Sequence, residues 1–357
     1  MDVAAFDGWL RAIAALTPRQ RQQAWQTLAL SEASAGDDIE TGPPRGVDSA
    51  SSGAAATPVA QPLNRLGSDV VAELGQRRVD SIGCPHGASR DVVHWGQASA
   101  LPRYRCKGCQ RTFNALTNTP LAGLRMKDKW PAQAAAMIEG VSIAEAAKRC
   151  DVDDTTAFRW RHRVLASLAG DKPGVLSGIV EGDETFILKS FKGQRSGLPR
   201  QARKRGGTSA QRGMSAEQVP VLVARDRQGA TTDAVLPKLN RVSMTAALGG
   251  IVTSANEFCC DGGTAIVAFA RRAGIPTHLL PMPGKPNLQA PDFHINNVNA
   301  YHSRLKEWLR PFHGVATKNL PNYLGWRRTL EALGQKILPE DFIFGGIGFG
   351  PYQQSAP

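Results

Sequence analysis

Two strands can be predicted from the apolar pattern in the second half of the chain. Residues 178–188 (GIVEGDETFIL) alternate between positions that can be buried and positions that face the other side, as in a strand. Asp183 lies within this run. The apolar run at 257–260 ends in Asp261-Gly-Gly, which indicates a central strand that ends in a loop. The segment 264–273, which follows, has a helical pattern.

A hairpin is predicted between these two strands. The sequence VPVLVARDRQGATTDAVLP (219–237) contains two apolar runs separated by turn residues. Its acidic residues Asp226 and Asp233 are interpreted as a turn residue and a strand-surface residue. The order strand, hairpin, strand, helix indicates a sheet within an α/β domain.

The segment FHINNVNAYHSRLKEWL (293–309) predicts an amphipathic helix. Asn299, His302 and Lys306 are spaced three and four residues apart, so they share one face of such a helix. The apolar residues that fall largely on the other side are Val298, Leu305, Trp308 and Leu309. The pattern alone also fits an ordinary surface helix, and the upstream aspartates are what favour a functional face.

Carboxylates at strand ends and a polar helix face can converge on one site. Two carboxylates a few ångströms apart repel each other strongly unless a cation lies between them. Mg²⁺ prefers oxygen ligands of this kind and supports phosphoryl transfer. We therefore expect Asp183 and Asp261 to form a metal site, whereas Glu184 would point to the opposite side of a regular strand.

Three of the six cysteines fall within residues 84–114 and predict a zinc site. Cys106 and Cys109 form a CxxC pair, and Cys84 lies upstream in the outline of a zinc ribbon, with two knuckles joined by a short strand pair. Because the chain lacks an export signal, metal binding is favoured over disulfides.

The first knuckle departs from the usual CPxC pattern because residue 87 is glycine. His86 is the candidate fourth ligand, which would give a Cys₃His site for Zn²⁺, and His94 is a competitor. The alternative is a degraded ribbon held together by aromatic packing. The residues that would pack in this way are Trp95, Tyr104 and Phe113.

Residues 126–168 predict a helix-turn-helix. A support helix at 129–139 precedes a second helix, which opens with the capping box Ser142–Glu145 and continues to Cys150. After a turn at 151–154, residues 155–167 would form the recognition helix.

The recognition helix would present basic residues to DNA. Arg159, Arg161 and Arg163 are candidate contacts to phosphates or base edges. Phe158 and Leu165 would face the protein core. The alternative interpretation is a generic basic helical pair with no role in DNA binding.

Net charge indicates an anionic partner. The chain has a formal charge of +12 and a pI near 9.7, which most simply indicate nucleic acid. Eight lysines and arginines fall within residues 189–213, where glycine and proline interrupt them. This predicts a flexible basic loop beside the strand of Asp183, in which Arg203, Lys204 and Arg205 are candidate DNA contacts.

The ends of the chain carry little information on function. Residues 1–30 predict a helical segment, residues 31–62 a disordered linker rich in small residues and proline, and residues 331–357 a C-terminal tail. No run of 18 apolar residues and no signal peptide are found, so we expect a cytoplasmic, nucleoid-associated protein rather than a membrane protein.

Four motifs, taken in order, resemble those of bacterial insertion-sequence transposases with an N-terminal zinc ribbon and an RNase H-like catalytic domain. They are EGDETFILKSFKGQR (181–195), DGG (261–263), HINNVNAYHSRLK (294–306) and GVATKNLPNYLGWRR (314–328). The resemblance is to the DDE-type, ISXO and IS-sixteen-like group, whose site is Asp, Asp, Asn (or Glu) and Lys. It covers residues 80–330.

This resemblance implies DNA strand cleavage and strand transfer, which are both in-line phosphoryl transfers. Asp183 and Asp261 would bind Mg²⁺ or Mn²⁺, and Asn299 would take the position where related enzymes often carry glutamate. Lys306 would place a positive charge on the phosphate or anchor the DNA end. His302 is a lower-ranked contact to the substrate.

The resemblance also implies the domain order and the partners. An α/β, RNase H-like domain with a mixed sheet flanked by helices (175–330) would follow a zinc-ribbon-like module (80–116) and the helix-turn-helix (126–168). The partners would be double-stranded DNA, both terminal inverted repeats and target, bound by a homodimer or higher oligomer. Two alternatives remain: a DNA-binding regulator with an inert C-terminal domain, and a decayed or domesticated transposase, which Gly87 favours.

Overall fold

The computed structural model describes residues 83–352, apart from 99–100, 195, 200–208, 210–214, 281–289 and 335–336, together with parts of a helix at 73–80. The predicted helical segment at 1–30, the predicted linker at 31–62 and the basic residues Arg203, Lys204 and Arg205 lie outside the described residues. None of the described helices is both long and apolar enough to cross a membrane.

The ribbon segment folds into a three-stranded antiparallel sheet. Its strands, in spatial order, are β1 (Val92–Ala98), β2 (Leu101–Cys106) and β3 (Thr112–Asn114). Tyr104 and Phe113 pair across β2 and β3 and are buried with two of the cysteines. Trp95 is 48% exposed, and the guanidinium of Arg105 lies 4.8 Å from its ring centroid. Two of the three aromatic residues expected to pack therefore form this small core.

Three helices occupy the segment predicted as a helix-turn-helix. They are α1 (Trp130–Ile138), α2 (Ile143–Cys150) and α3 (Asp154–Gly170). Ser142 caps α2, because its side chain accepts a hydrogen bond from the backbone N–H of Glu145 at 3.2 Å. In α3, Leu165 is buried as predicted, but Phe158 is 46% exposed, so its assignment to the core is wrong.

The segment predicted as the catalytic domain contains a five-stranded mixed sheet. The strands are β4 (Ile179–Leu188), β5 (Gln218–Asp226), β6 (Thr231–Val235), β7 (Glu257–Cys260) and β8 (Thr277–Leu279). Their spatial order is β6-β5-β4-β7-β8. β4 pairs antiparallel with β5 and parallel with β7, so the hairpin of β5 and β6 lies on one side of β4 and the second aspartate strand on the other.

Helices cover both faces of this sheet. They are α4 (Arg241–Leu248), α5 (Thr264–Ala273) and α6 (Asn296–Leu309). On one face, Val180 and Phe258 pack with Ile266 of α5. On the other face, Val223 packs with Val298 of α6. The expected mixed sheet flanked by helices is confirmed.

The centre of β4 approaches its neighbours closely. A Cβ atom built on Gly182 would lie 2.4 Å from Cζ of Phe258 and 3.2 Å from Cδ1 of Ile266. No side chain fits at the first of these distances. Glycine at this position therefore lets β7 and α5 pack directly against the strand that carries Asp183.

Two further helices, α7 (Leu320–Leu333) and α8 (Pro339–Gly346), complete the helical layer. α7 packs on α3, and α8 packs on α1 and α3. Trp160, Trp326 and Phe342 are buried in this shared core, where Nε1 of Trp326 donates to the carbonyl of Met137 at 3.1 Å. The predicted C-terminal tail therefore contributes part of a hydrophobic core.

A buried ion pair joins α7 to the sheet. The fully buried Arg328 donates to Oδ1 of Asp233 at 2.5 Å and to the carbonyls of Leu168 and Asp171, both at 3.0 Å. Asp233 is only 4% exposed. Its prediction as a strand-surface residue is therefore wrong.

A second polar cluster joins α6, α7 and β5. Glu331 accepts hydrogen bonds from Arg304 and Arg327, and its Oε2 lies 3.2 Å from Nη1 of Arg225. Burial by itself raises the pKa of Glu331, but the hydrogen bonds from Arg304 and Arg327 outweigh it and bring the pKa to about 2. The glutamate is therefore ionised at neutral pH and fixes α6 against α7.

Candidate active site

The register of β4 and β7 places the two predicted aspartates side by side. Glu181 pairs with Cys259, so two residues farther along the parallel strands Asp183 lies next to Asp261. Carboxylate oxygens of Asp183, Glu184 and Asp261 lie within 4.8 Å of one another. Asp183 and Glu184 are partly buried, whereas Asp261 is exposed to the approach of a ligand.

Glu184 belongs to this cluster, although the strand pattern predicted that it points away. Side chains alternate along β4, so Glu184 does leave the strand on the face opposite to Asp183, yet its carboxylate reaches both aspartates. Burial, together with the charges of Asp183 and Asp261, raises the pKa of Glu184 to about 7. A Cβ atom at Gly263 would lie 3.4 Å from Oδ1 of Asp261 and 3.7 Å from Oε2 of Glu184, so residue 263 lies directly beside the cluster.

Basic side chains near the acidic cluster are few among the described residues. Among the described residues, no lysine or arginine lies within ion-pair distance of the three carboxylates. The histidine that does is His302, whose Nδ1 lies 3.5 Å from Oδ2 of Asp183. Three carboxylates gathered with this histidine beside them fit a hard divalent cation such as Mg²⁺ or Mn²⁺.

Helix α6 turns its polar face toward Asp183. His302 is 7% exposed and forms the contact, and its Nε2 has no hydrogen-bond partner among the described residues. Asn299, one turn earlier, is half-buried, and Lys306, one turn later, is exposed. Among the described contacts, neither Asn299 nor Lys306 hydrogen bonds to the aspartates, so His302 is the member of the predicted face that the structure brings against them.

Three of the four predicted zinc ligands lie together. The sulfurs of Cys84, Cys106 and Cys109 are within 4.8 Å of one another, and those of Cys84 and Cys109 are 3.6 Å apart. The backbone N–H of Cys109 donates to Sγ of Cys106 at 3.4 Å, and this hydrogen bond, the largest influence, lowers the pKa of Cys106 to about 7. A thiol that ionises readily beside two others fits Zn²⁺.

Neither candidate histidine completes this cluster. The ring of His86 packs edge-on against Phe113, with 6.5 Å between centroids, and that of His94 packs against Tyr104 at 6.0 Å. A Cβ atom at Gly87 would lie 3.9 Å from Cβ of Cys109. Residue 87, where the usual pattern has cysteine, therefore lies beside Cys109 of the cluster.

The predicted DNA contacts of α3 differ in their availability. Arg159 is exposed, and Arg163 is exposed while donating to the carbonyls of Pro120 and Ala122 at 3.2 and 2.8 Å. Arg161 is 1% exposed and donates to the carbonyl of Val141 at 2.9 Å. This burial argues against the predicted DNA contact by Arg161, whose guanidinium supports the helical core instead.

Comparison with known proteins agrees with the predicted family. Residues 175–327 match the model of the ISXO2-like transposase domain. A protein of the archaeon Halobacterium salinarum, described as an uncharacterized protein in transposable element ISH50, is 27% identical over 265 residues, which cover 73% of this chain and 88% of the relative. The resemblance therefore extends beyond bacteria.

Two solved structures of Mos1 transposase show only a distant likeness. A chain of a pre-cleavage Mos1 transpososome is 14% identical and covers 55% of this chain and 73% of its own length. A Mos1 transposase paired-end complex with the left transposon end is 15% identical and covers 61% and 79%. Both have a TM-score of 0.18, which is too low to carry an argument about the fold.

The family match spans the elements that build the acidic site. It begins before β4, includes β7 and α6, and ends within α7. Asp183, Asp261, Asn299 and Lys306 all lie inside it. The segment 175–327 thus matches the ISXO2-like transposase domain, which confirms the resemblance of the chain to insertion-sequence transposases.

Proposed function

We propose that this protein is the transposase of an insertion sequence and that it cleaves and transfers DNA strands by metal-dependent phosphoryl transfer. The observation that carries the proposal is the cluster of Asp183 and Glu184 on β4 with Asp261 directly after the adjacent parallel strand β7, with no lysine or arginine of the described residues within ion-pair distance. Such a cluster, within an RNase H-like domain, suits catalysis by positioning and charge neutralisation.

Asp183 and Asp261 would hold Mg²⁺ or Mn²⁺. Bound there, the ion would polarise the phosphoryl group and neutralise the charge that develops on it. Asn299, a neutral amide, would complete or orient the coordination shell. Lys306, exposed on the same helix face, would contact a DNA phosphate, and His302 would fix the orientation of Asp183 from the buried side.

DNA binding would involve surfaces outside the acidic site. A net charge of +12 favours binding to the phosphate backbone, and Arg159 and Arg163 of α3 are one helical turn apart on its exposed side. The loop residues Arg203 to Arg205 would add sequence-independent contacts. The substrates would be the terminal repeats and the target DNA, bound by a dimer or higher oligomer at the cytoplasmic nucleoid.

The test is a nicking assay on an oligonucleotide that carries one end of the element, with Mg²⁺ or Mn²⁺ titrated. Asp183→Asn and Asp261→Asn should lower cleavage by far more than tenfold, or about 1.4 kcal/mol of barrier. DNA affinity should remain close to that of the unmodified protein. The control is Asp128→Asn, an exposed carboxylate outside the cluster.

The same assay separates the alternative function. A decayed or domesticated transposase that only binds DNA would retain salt-sensitive binding and show no metal-dependent nicking. Cleavage by Asp183→Asn within about tenfold of the unmodified protein would instead remove these aspartates from the mechanism.

A further inference from the structure

A second carboxylate of β4, separate from the acidic cluster, holds the start of α6. Glu181 lies two residues before Asp183 and on the same face of the strand, and its side chain is fully buried. Its Oε2 accepts the backbone N–H of Val298 at 2.9 Å, and its Oε1 accepts Nδ2 of Asn297 at 2.9 Å. Both donors belong to the first turn of α6.

This contact supplies what the helix sequence lacks. The first N–H groups of any helix have no partner within the helix, and a side chain at the N-cap usually accepts one of them. In α6 the N-cap is Ile295, whose side chain has no acceptor. Nδ1 of His294 accepts the N–H of Asn296 at 3.3 Å, whereas the N–H of Val298 is bonded by Glu181. Glu181 takes this role from the adjacent strand, and its negative charge also suits the positive end of the helix dipole.

Arg227 completes the arrangement from the turn between β5 and β6. It forms an ion pair with Glu181 and donates to the carbonyl of Asp292 at 2.6 Å and that of His294 at 3.4 Å. The arginine therefore neutralises the buried carboxylate and fixes the chain that leads into α6. Three separate segments meet at Glu181.

Stability alone does not require such a pair. Burying an ion pair costs about as much desolvation as it returns, so apolar residues of similar size are often equally stable. Apolar packing of Tyr301 and Leu305 and the Arg304–Glu331 contact already attach α6 elsewhere along its length. The specific effect of Glu181 is on register, because Val298 is the residue directly before Asn299.

We infer that Glu181 is a positioning residue of the proposed reaction. It fixes the height of α6 against β4, and with it the level at which His302 meets Asp183 and Asn299 lies one turn earlier. The inference rests on the proposed transposase function. A shift of about 1 Å in such a group can lower a rate about a hundredfold.

The test compares Glu181→Gln with Glu331→Gln. Glutamine preserves the shape and one acceptor oxygen but not the charge that holds Arg227 and the helix end. Glu331→Gln is the matched control, since it weakens the other polar attachment of α6 away from its first turn. Both are assayed at a temperature below their unfolding transitions for end binding, nicking rate and the Mn²⁺ concentration that gives half-maximal nicking.

We expect Glu181→Gln to lower the nicking rate by about tenfold or more and to raise the required Mn²⁺ concentration, with DNA affinity changed by less than about twofold. Glu331→Gln should change neither kinetic quantity by more than about twofold. Hydrogen exchange should show loss of protection at Val298 in Glu181→Gln while the last turn of α6 stays protected.

Equal kinetic effects in the two variants, or unchanged protection of Val298, would overturn the inference. Failure of the proposed function is distinguishable, because the unmodified protein would then show no metal-dependent nicking. If Glu181→Gln does not fold, Asn297→Ala serves instead, since it removes one of the hydrogen bonds and leaves the ion pair intact. It should shift the Mn²⁺ requirement in the same direction, and no shift would refute the role.

Discussion

Replacing Asp261 by asparagine should stabilise the protein in the absence of Mg²⁺ and abolish its response to that ion. The substitution removes one negative charge from a cluster whose carboxylate oxygens lie within 4.8 Å of one another. It preserves the loop, because asparagine retains Oδ1, the atom that accepts the N–H of Gly263 at 3.0 Å. Stability and metal binding can therefore be examined without a change of shape.

The size of the effect follows from Coulomb's law. At 4.8 Å, two unit charges repel by about 0.9 kcal/mol at the dielectric constant of water and about 3.5 kcal/mol at an effective dielectric constant of 20. Because Asp261 is exposed, its repulsion from each of its two neighbours, Asp183 and Glu184, should be closer to the value for water. At a pH above the pKa of Glu184, we expect Asp261→Asn to gain about 1–2 kcal/mol in the free energy of unfolding.

Added Mg²⁺ should reverse the order of stability. An ion that binds only the folded state stabilises it by about 2.7 kcal/mol at a hundred times its Kd. The unmodified protein should show this gain, whereas Asp261→Asn has lost an anionic ligand and should show little of it. The ion that protects the fold is also the one proposed to act in cleavage, so the variant should be the more stable protein without Mg²⁺ and inactive with it.

Urea denaturation with and without Mg²⁺ measures both quantities. Magnesium is omitted rather than chelated, because a chelator would also compete for the zinc ion predicted at the cysteine cluster. Asp128→Asn is the control and should behave like the unmodified protein. If Asp261→Asn were less stable without Mg²⁺ and gained as much from the ion as the unmodified protein does, the cluster would not be a metal site.

Gly182→Ala should lose about 1–3 kcal/mol of stability through overpacking, whereas Gly174→Ala should change it by less than about 0.5 kcal/mol; equal denaturation midpoints would contradict this. At Gly174 an added Cβ meets no atom within 4 Å. Elemental analysis should find about one zinc per chain, and His86→Ala should retain this zinc. Gly87→Cys should bind zinc more tightly. Loss of zinc from His86→Ala would show that His86 is a ligand. The pKa of Glu331 falls from 4.5 to about 2 on folding. Its contribution to the free energy of unfolding should therefore be present above pH 4.5 and lost as the pH falls toward 2. Urea titrations of Glu331→Gln should not show this loss of stability at low pH. If the stability of the variant fell with pH in parallel with that of the unmodified protein, the stabilising role of Glu331 would be refuted.

Much of the sheet could be predicted because its signals are local. Alternation within 178–188 predicts β4, which the structure places at Ile179–Leu188. Glycine and aspartate, which are common where strands end, mark the turn between β5 and β6 and the loop after Cys260. The spacing of three and four residues in α6 correctly places His302 on the face that meets Asp183.

The partners of buried charged residues could not be predicted in this way. Alternation assigns Glu184 to the far face of β4, and only the length of its side chain brings the carboxylate back to the aspartates. Arg161 has the spacing of a DNA contact, but its guanidinium lies 5.1 Å from the ring centroid of Trp326, a residue far away in the chain. Likewise, Asp233 is buried because Arg328 faces it. Such assignments depend on contacts between distant segments, which periodicity does not encode.

Helix α7 packs against the hydrophobic cores on both sides of the predicted boundary between residues 168 and 175. Leu324 packs with α6 and the sheet, whereas Trp326 packs with α1 and α3. Arg328 then bridges α3 and β6 through its carbonyl and carboxylate partners. One helix is thus shared by the layer that carries Arg159 and the layer that carries the aspartates. A DNA end bound at the exposed side of α3 would consequently be held at a fixed distance from Asp183 and not on a flexible tether, which suits an enzyme that cuts at a defined distance from the sequence it reads.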